Sequence, residues 1–360
     1  MMRIAVLATN RNPLVAPFAG GREALTAALV GGFRRRGHYV VLHAAPGTPA
    51  SLADEVITYP ELPRLSEVAA LDPQVPEAHF LADHHAFTSA MSALIARRDI
   101  DVVANHSLHH LPMSLSPALA APVVTTLHTP PFPWMELGAA LAAPSARYVA
   151  VSRALAAQWT TVDARVVLNG ADPEAFTLGP GAHDGALAWV GRITPEKAPH
   201  LAAVAARLAG RPLRLVGPVS DRAYFASQVA PLLGSDITHL GSLGSAGIAD
   251  VLGSSDALLV TPVWEEPFGL VAVEASLCGT PVIALERGGV REAVTEATGV
   301  LVPDGPGTRD EVRVAALVQA LGSLRSFDRR AVRAEAERRF GVERLVDQHL
   351  RTLADATGNA

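Results

Sequence analysis

Two glutamates eight residues apart, Glu266 and Glu274, close the run Glu266-Pro-Phe-Gly-Leu-Val-Ala-Val-Glu274. The stretch 270–277 is otherwise apolar, and a carboxylate set in such a run is costly unless a donor meets it. The vicinal hydroxyls of a sugar are donors of that kind. A helix starting near Phe268 puts Glu266 at a loop mouth and Glu274 about two turns in, on a face turned back toward it. The free N–H groups of Phe268, Gly269 and Leu270 then form an anion-binding helix start. A salt-bridged surface pair is the plainer alternative, but it leaves the apolar surroundings of Glu274 unexplained.

A second run, Trp189-Val-Gly191-Arg192-Ile-Thr-Pro-Glu-Lys197, follows an apolar strand-like segment. Gly191 allows a ligand to come close to the backbone. Arg192 and Lys197 offer a guanidinium fork and a point-charge ammonium, a good clamp for a diphosphate. Two solvated loop charges are the ordinary reading of such a pair. Lys197, however, is the single lysine of the chain, against 29 arginines. Its neighbours Glu196 and Ala198 exclude the G-x-x-x-x-G-K-[ST] phosphate loop. A Schiff-base lysine would have to be Lys197 itself.

Other candidates divide more evenly. His106, His109 and His110 have the i, i+3, i+4 spacing that could ligate a metal from a helix. No neighbouring carboxylate or cysteine completes a site, and a histidine-rich wall of a binding site is simpler. Asp99-Ile-Asp101 spells D-x-D at a helix-to-strand junction and reads as a structural corner. Trp134 lies in a proline-stiffened loop at 130–135 that suits the wall of a binding site or plain packing. Arg34-Arg-Arg36 closes a helix, where cations meet the macrodipole and water more often than lipid. Cys278 reads as a small buried hydrophobe.

The elements that must position these groups alternate short apolar runs with helical patterns, the signature of parallel α/β architecture. Strands are expected at 3–8, 39–43, 101–105, 123–128, 147–151 and 165–168. After the Gly-Pro-Gly loop at 178–185 the series restarts at 186–190, 213–216, 237–240, 257–260, 281–284 and 300–301. Helices are expected from Gly20-Gly21 to Arg36 and over 199–209. Runs so apolar on both faces suit buried parallel sheets. In such sheets ligands sit at the carboxyl ends of the strands.

Composition sets the bounds. The chain has 360 residues, more than one ordinary domain, with 49 % hydrophobic residues. A net charge of −5 and 18 % charged residues argue against a nucleic-acid binder and against disorder. One cysteine excludes disulfide frameworks and points to a reducing compartment. The uncharged segment 102–135 is interrupted by six prolines, so it is no membrane span. The apolar run at the N-terminus is too short for a signal-peptide core, and a cytoplasmic protein is expected.

The motif set, extended by Gly279-Thr-Pro-Val-Ile-Ala, Gly288-Gly-Val-Arg-Glu292, Asn169-Gly-Ala-Asp172, Ala150-Val-Ser-Arg153, Thr126-Leu-His128-Thr129, Gly20-Gly21 and Arg36-Gly-His38, resembles the retaining glycosyltransferases of family 4, the glycosyl transferases group 1. The resemblance is dense from Ala186 to Val302 and sparser before it, and nothing matches over 59–94. It implies the GT-B fold, an α/β architecture of two facing Rossmann-like doubly wound parallel-sheet domains with a cleft between them. On that pattern 1–178 is an acceptor-binding domain and 186–326 a nucleotide-sugar donor domain, with helices over 327–360 packing back toward the first.

The resemblance also implies roles. Arg192 and Lys197 hold the donor diphosphate, Glu274 takes the ribose hydroxyls, and Glu266 takes hydroxyls of the transferred sugar beside Phe268, Gly269 and Leu270. Gly191, Gly20 and Gly21 admit the donor, and His128 lies over the sugar. His106, Trp134, Asn169 and Arg153 face the acceptor. No metal and no cofactor are required. The donor is a UDP-sugar by default and a GDP-sugar next, and the acceptor is a small molecule, a saccharide or a lipid. A glycine commonly follows the lysine, and here Ala198 does. A nucleotide-sugar epimerase, a phosphorylase and a non-catalytic nucleotide-sugar binder are the competing readings. An NAD-linked dehydrogenase is weaker, because no G-x-G-x-x-G follows a strand.

Overall fold

The computed structural model of the chain describes residues 1–70, 78–324 and 327–358. Residues 71–77 of the unmatched 59–94 run, the expected domain end at 325–326 and the last two residues of the expected tail lie outside the described residues.

Runs of Val, Ile, Leu and Ala form strands that are mostly buried along their length, as parallel sheets covered by crossover helices require. The strands are β1 (Arg3–Leu7), β2 (Tyr39–Ala44), β3 (Glu55–Thr58), β4 (Val102–Asn105), β5 (Val123–Leu127), β6 (Arg147–Ala150) and β7 (Ala164–Val166). They are followed by β8 (Leu187–Val190), β9 (Leu213–Val216), β10 (Ile237–His239), β11 (Ala257–Val260), β12 (Val282–Leu285) and β13 (Gly299–Val302). The first seven form one sheet in the order β3-β2-β1-β4-β5-β6-β7 and the rest a second in the order β10-β9-β8-β11-β12-β13. Every ladder is parallel.

Both orders reverse direction once, between β1 and β4 and between β8 and β11. Loops leaving the carboxyl ends of strands at such a reversal diverge and leave a crevice. In the first sheet Ala5, Leu7, Val41, Val103 and Val123 pack with Phe87, Met91 and Leu94 of the helix Ala78–Ala96. In the second, Leu187, Leu215, Leu259 and Ile283 pack with the helices Pro199–Leu208 and Asp310–Leu321. The edge strand β3 is absent from the sequence reading. Its residues Glu55-Val-Ile-Thr are only partly covered, so neither a buried run nor a clean alternation marks them.

The chain divides into two compact units, one of 1–151, 156–167 and 346–360, the other of 152–155 and 168–345. The loop 178–185 lies within the second unit, where the Gly179 N–H donates to Cys278 O at 3.0 Å and the Gly181 N–H to Gly253 O at 2.9 Å. The last helix, Val342–Ala356, begins in the second unit and continues in the first. In the first unit Asp347 pairs with Arg36 at 2.7 Å and Asp355 with Arg165 at 2.6 Å. Of the arginine triplet, Arg34 donates to the carbonyls of Ser51 and Leu52, so that helix end is held by protein acceptors. Asp101 accepts from the Arg3 N–H at 2.7 Å, the corner expected of it. Among the described residues no helix is long and apolar enough to cross a membrane.

Candidate functional site

In the second unit the loops leaving β8 and β11 meet at the reversal point. The Gly191 N–H donates to Val216 O at 2.9 Å. Gly217 sits at φ +137°, and a Cβ there would lie 1.9 Å from Gly191 O. Only glycine at 217 lets the first loop leave the sheet along this path. The loop continues through a short turn at Pro195–Lys197 to Ala198, which holds the left-handed conformation at φ 47° and ψ 53°. A glycine would take that shape without strain, which accounts for its usual place after the lysine.

Side chains then latch this loop to the next. Thr261 Oγ1 accepts from Trp189 Nε1 at 3.0 Å and lies 3.0 Å from both Lys197 O and Ala198 O. The Val263 N–H donates to Glu196 O at 2.9 Å. Lys197 Nζ is thereby brought 2.6 Å from Glu266 Oε2, which also accepts from Trp264 Nε1 at 2.8 Å. The ammonium lies 5.6 Å from the centroid of the Trp264 ring. Arg192 does not join this group; it is half-exposed, 3.6 Å from Glu196.

The backbone under Glu266 is fixed from two sides. The Gly289 N–H donates to Glu266 O at 2.7 Å. A Cβ on Gly288 would come within 2.4 Å of Glu266 O, and one on Gly289 within 2.4 Å of Pro267 O. From the other side, buried Arg287 reaches Glu265 at 3.0 Å and Asp304 at 3.4 Å, and Asp304 accepts from Arg313 Nε at 2.9 Å. A strut of four charges thus runs from the helix Asp310–Leu321 to the residue beside Glu266.

Phe268 is buried against Phe340, their centroids 5.9 Å apart, and Gly269 turns left-handed at φ 88°. The helix Leu270–Leu277 follows, starting two residues later than Phe268 because Gly269 occupies the cap. Glu274 lies on this helix. The residue is partly buried, its carboxyl has no hydrogen-bond or ion-pair partner among the described residues, and the loss of water around it pushes its pKa up to about 7. Cys278, just after the helix, is fully buried with its thiol pushed up to about 12, first by burial and then by the Glu274 charge.

The remaining candidates fall in different places. Gly20 is extended at φ −170° and caps the helix Gly21–Arg35, which Gly21 begins; a Cβ on Gly20 would stand 3.1 Å from Glu23 Oε2. His128, half-buried in the first unit, has its Nε2 3.3 Å from Nδ1 of buried His106. Burial, then Arg22 and His349, push His128 down to about 3, so it is a neutral imidazole at pH 7. Asn169, in the second unit, is buried with Oδ1 unpartnered among the described residues. Exposed Arg153 pairs with Glu292 at 3.3 Å.

One expectation is corrected, since Trp134 lies on the helix Pro133–Ala140 and not in a loop at 130–135, and the helical alternative weighed for the three histidines is closed. Residues 106–110 are not helical, because the chain turns there until Pro112 opens the short helix Leu111–Ser114. The three histidines therefore do not share a helix face. His109 stacks on Phe87 and His110 on Trp134. Among the described residues no group of three or more His, Cys, Asp or Glu is placed to hold a metal ion. Sequence reasoning missed Thr261, the Trp264 bond to Glu266, and the Arg287–Asp304 strut. For Arg287 the available signal was an arginine ending an apolar strand just before a glycine pair.

Comparison with known proteins bears on the family and the fold. The model "Glycosyl transferases group 1" matches residues 178–321 and "Glycosyltransferase Family 4" matches 19–175. Curated relatives include the D-inositol 3-phosphate glycosyltransferases of Gordonia bronchialis, 38 % identical over 38 % of this chain and 35 % of that protein, and of Rhodococcus opacus, 37 % identical over 52 % and 45 %. The chain thus spans less than half the length of these two relatives. Among solved structures, AviGT4, a glycosyltransferase involved in avilamycin A biosynthesis, aligns with TM-score 0.72 at 22 % identity over 100 % of this chain and 99 % of its own. Anabaena HepE in complex with UDP and glucose aligns with TM-score 0.73 at 20 % identity over 99 % and 100 %. These likenesses identify the fold as the two-domain, Rossmann-like GT-B fold.

Proposed function

We infer an activity from a plain premise: the chain belongs to the glycosyl transferases group 1 family. It is a glycosyltransferase that moves a hexose from a nucleotide diphosphate sugar, a UDP-sugar first, to an acceptor hydroxyl with retention at the anomeric carbon. The observation that carries this reading is the Lys197–Glu266 pair at the β8/β11 reversal, next to a helix that holds the partly covered, unpartnered carboxyl of Glu274. Folding alone gives no reason to set a carboxyl among the apolar residues of this helix without a donor. A ribose offers two.

On this reading the Lys197–Glu266 pair is the resting arrangement. The donor diphosphate draws the ammonium to itself, with Arg192 as the second cation, and Glu266 turns to hydroxyls of the hexose. The N–H groups of Phe268, Gly269 and Leu270 face the donor at the helix start. Gly191 gives close backbone access to the donor. As the bond from C1 to the β-phosphate oxygen breaks, its electron pair passes to that oxygen, where the cations stabilise the charge. The acceptor oxygen bonds C1 from the same face, and its proton goes to the departing phosphate. These steps call on no metal and no resident cofactor.

His106, Trp134, Asn169 and Arg153 are assigned to the acceptor. The names of the curated relatives make D-inositol 3-phosphate one candidate acceptor. The test is turnover of UDP-glucose in EDTA, read as UDP release in the presence of candidate acceptors, with Lys197→Ala beside the wild type. Loss of about 10²–10³-fold in kcat is expected of the variant, the size of removing one transition-state donor. Equal turnover would sink the assignment.

A further inference from the structure

We propose that the first unit carries a ring-stacking site, built from Phe80, His84, His110 and Trp134, that takes the acceptor by the apolar face of a neutral sugar or aromatic ring. This rests on the transferase reading above and names its acceptor class.

Trp134 opens the helix Pro133–Ala140 and is 50 % exposed. An indole left in solvent has large apolar area to offer a ligand. Its plane is already fixed. The ring lies 5.1 Å from that of His110 at 28° and 5.7 Å from that of Phe80. His110 stacks on His109 at 4.5 Å, and His109 on buried Phe87 at 4.6 Å and 15°. A ladder of rings thus runs from the core to the surface, with His84 5.8 Å from His110. Gly138 seats the helix against this loop, since a Cβ there would stand 2.9 Å from His110 O.

The ladder also has a polar group waiting. His109 Nδ1 accepts from the Leu111 N–H at 3.3 Å, which leaves the proton on Nε2. That nitrogen is buried with no partner among the described residues. A ligand oxygen would satisfy it.

Charge decides the class of ring. Burial, then the neighbouring histidines, push His109 down to about 3, and burial, then His84, lowers His110. Both are neutral at pH 7. Arg11, close enough to influence His109, is held by Asp83 through contacts of 2.5 and 3.1 Å, and Asp83 also accepts from Asn10 at 2.7 Å. The ladder therefore offers stacking and a neutral N–H donor rather than the cations that phosphate recognition uses. The same helix exposes Leu137, and Leu141 follows it, but Glu136 is the charged residue it carries. A helix lying on an anionic membrane carries lysine and arginine.

The full chain is titrated by saturation-transfer NMR with methyl α-D-glucopyranoside, 4-methoxyphenol and D-inositol 3-phosphate, using wild type, Trp134→Ala and Trp134→Phe. Thermal unfolding establishes that both variants fold. At least one neutral ring binds the wild type, with affinity falling about tenfold in Trp134→Ala and staying within about threefold in Trp134→Phe. Which neutral probe binds distinguishes a sugar acceptor from an aromatic one. The proposal is overturned if neither neutral ring binds, if Trp134→Ala leaves their affinity within twofold, or if Trp134→Ala abolishes inositol phosphate binding. It is equally overturned if phosphatidylglycerol vesicles, and no neutral ring, bind through Trp134. Because the probes bind without donor, failure here is separate from failure of the transferase reading, which shows as no stabilisation by UDP.

Discussion

At the scale of single residues, Glu274 sets the sharpest condition on any account. Its carboxyl is raised to about 7 by burial, well above the ordinary value near 4.5. For an acid raised on folding, the associated stability is complete below the unfolded pKa and is lost as pH rises through the folded one. Glu274→Gln should therefore gain stability relative to wild type between pH 5 and 8, by a difference of order 3 kcal/mol, read from unfolding curves at the two pH values. An unchanged difference would mean that the carboxyl is solvated. Ribose hydroxyls favour the charged form, so UDP binding near pH 6 should release a fraction of a proton. Calorimetry in buffers of different ionisation enthalpy would detect it, and Glu274→Gln should abolish it. Lys197 was legible because the sequence contains one lysine. Its resting partners were not, because a loop's side-chain directions depend on latches such as Thr261 to Trp189, which have no sequence period.

Elements explain why those residues meet. The loop bearing Glu266 is clamped between the glycine pair 288–289 and the Arg287–Asp304 strut. Asp304→Asn removes the carboxylate that buried Arg287 and partly buried Arg313 share, and should cost about 3 kcal/mol in denaturant unfolding. Arg287→Met should leave the fold closer to wild type while raising KM for the donor, because Glu265 loses its anchor. A KM unchanged in Arg287→Met would reduce the strut to a stabilising device. The strand pattern was legible because buried parallel strands are near-continuous apolar runs. Failure came where that physics weakens, at the half-covered edge strand Glu55–Thr58, and at 133–135, where the prolines read as a loop although Pro133 opens a helix.

At the scale of the whole molecule, one chain builds two doubly wound units, and each has its reversal beside its first strand. The last helix completes the first unit. Val346 fills the space over Gly32, and His349 packs 5.6 Å from His106. Deleting 346–360 should therefore expose the first unit to proteolysis while UDP still protects the second, and protection lost from both would contradict two separable units. The sequence reading of two α/β halves followed from the restart of the strand series. The division of the last helix between units did not, because it depends on contacts far apart in sequence. The central claim is that the second unit binds a nucleoside diphosphate through Lys197, and its most direct test is thermal unfolding in EDTA with UDP, GDP, ADP, dTDP and NAD. The account predicts a clear rise in Tm with UDP that is absent in Lys197→Ala; stabilisation by NAD alone, or an equal rise in that variant, would contradict it.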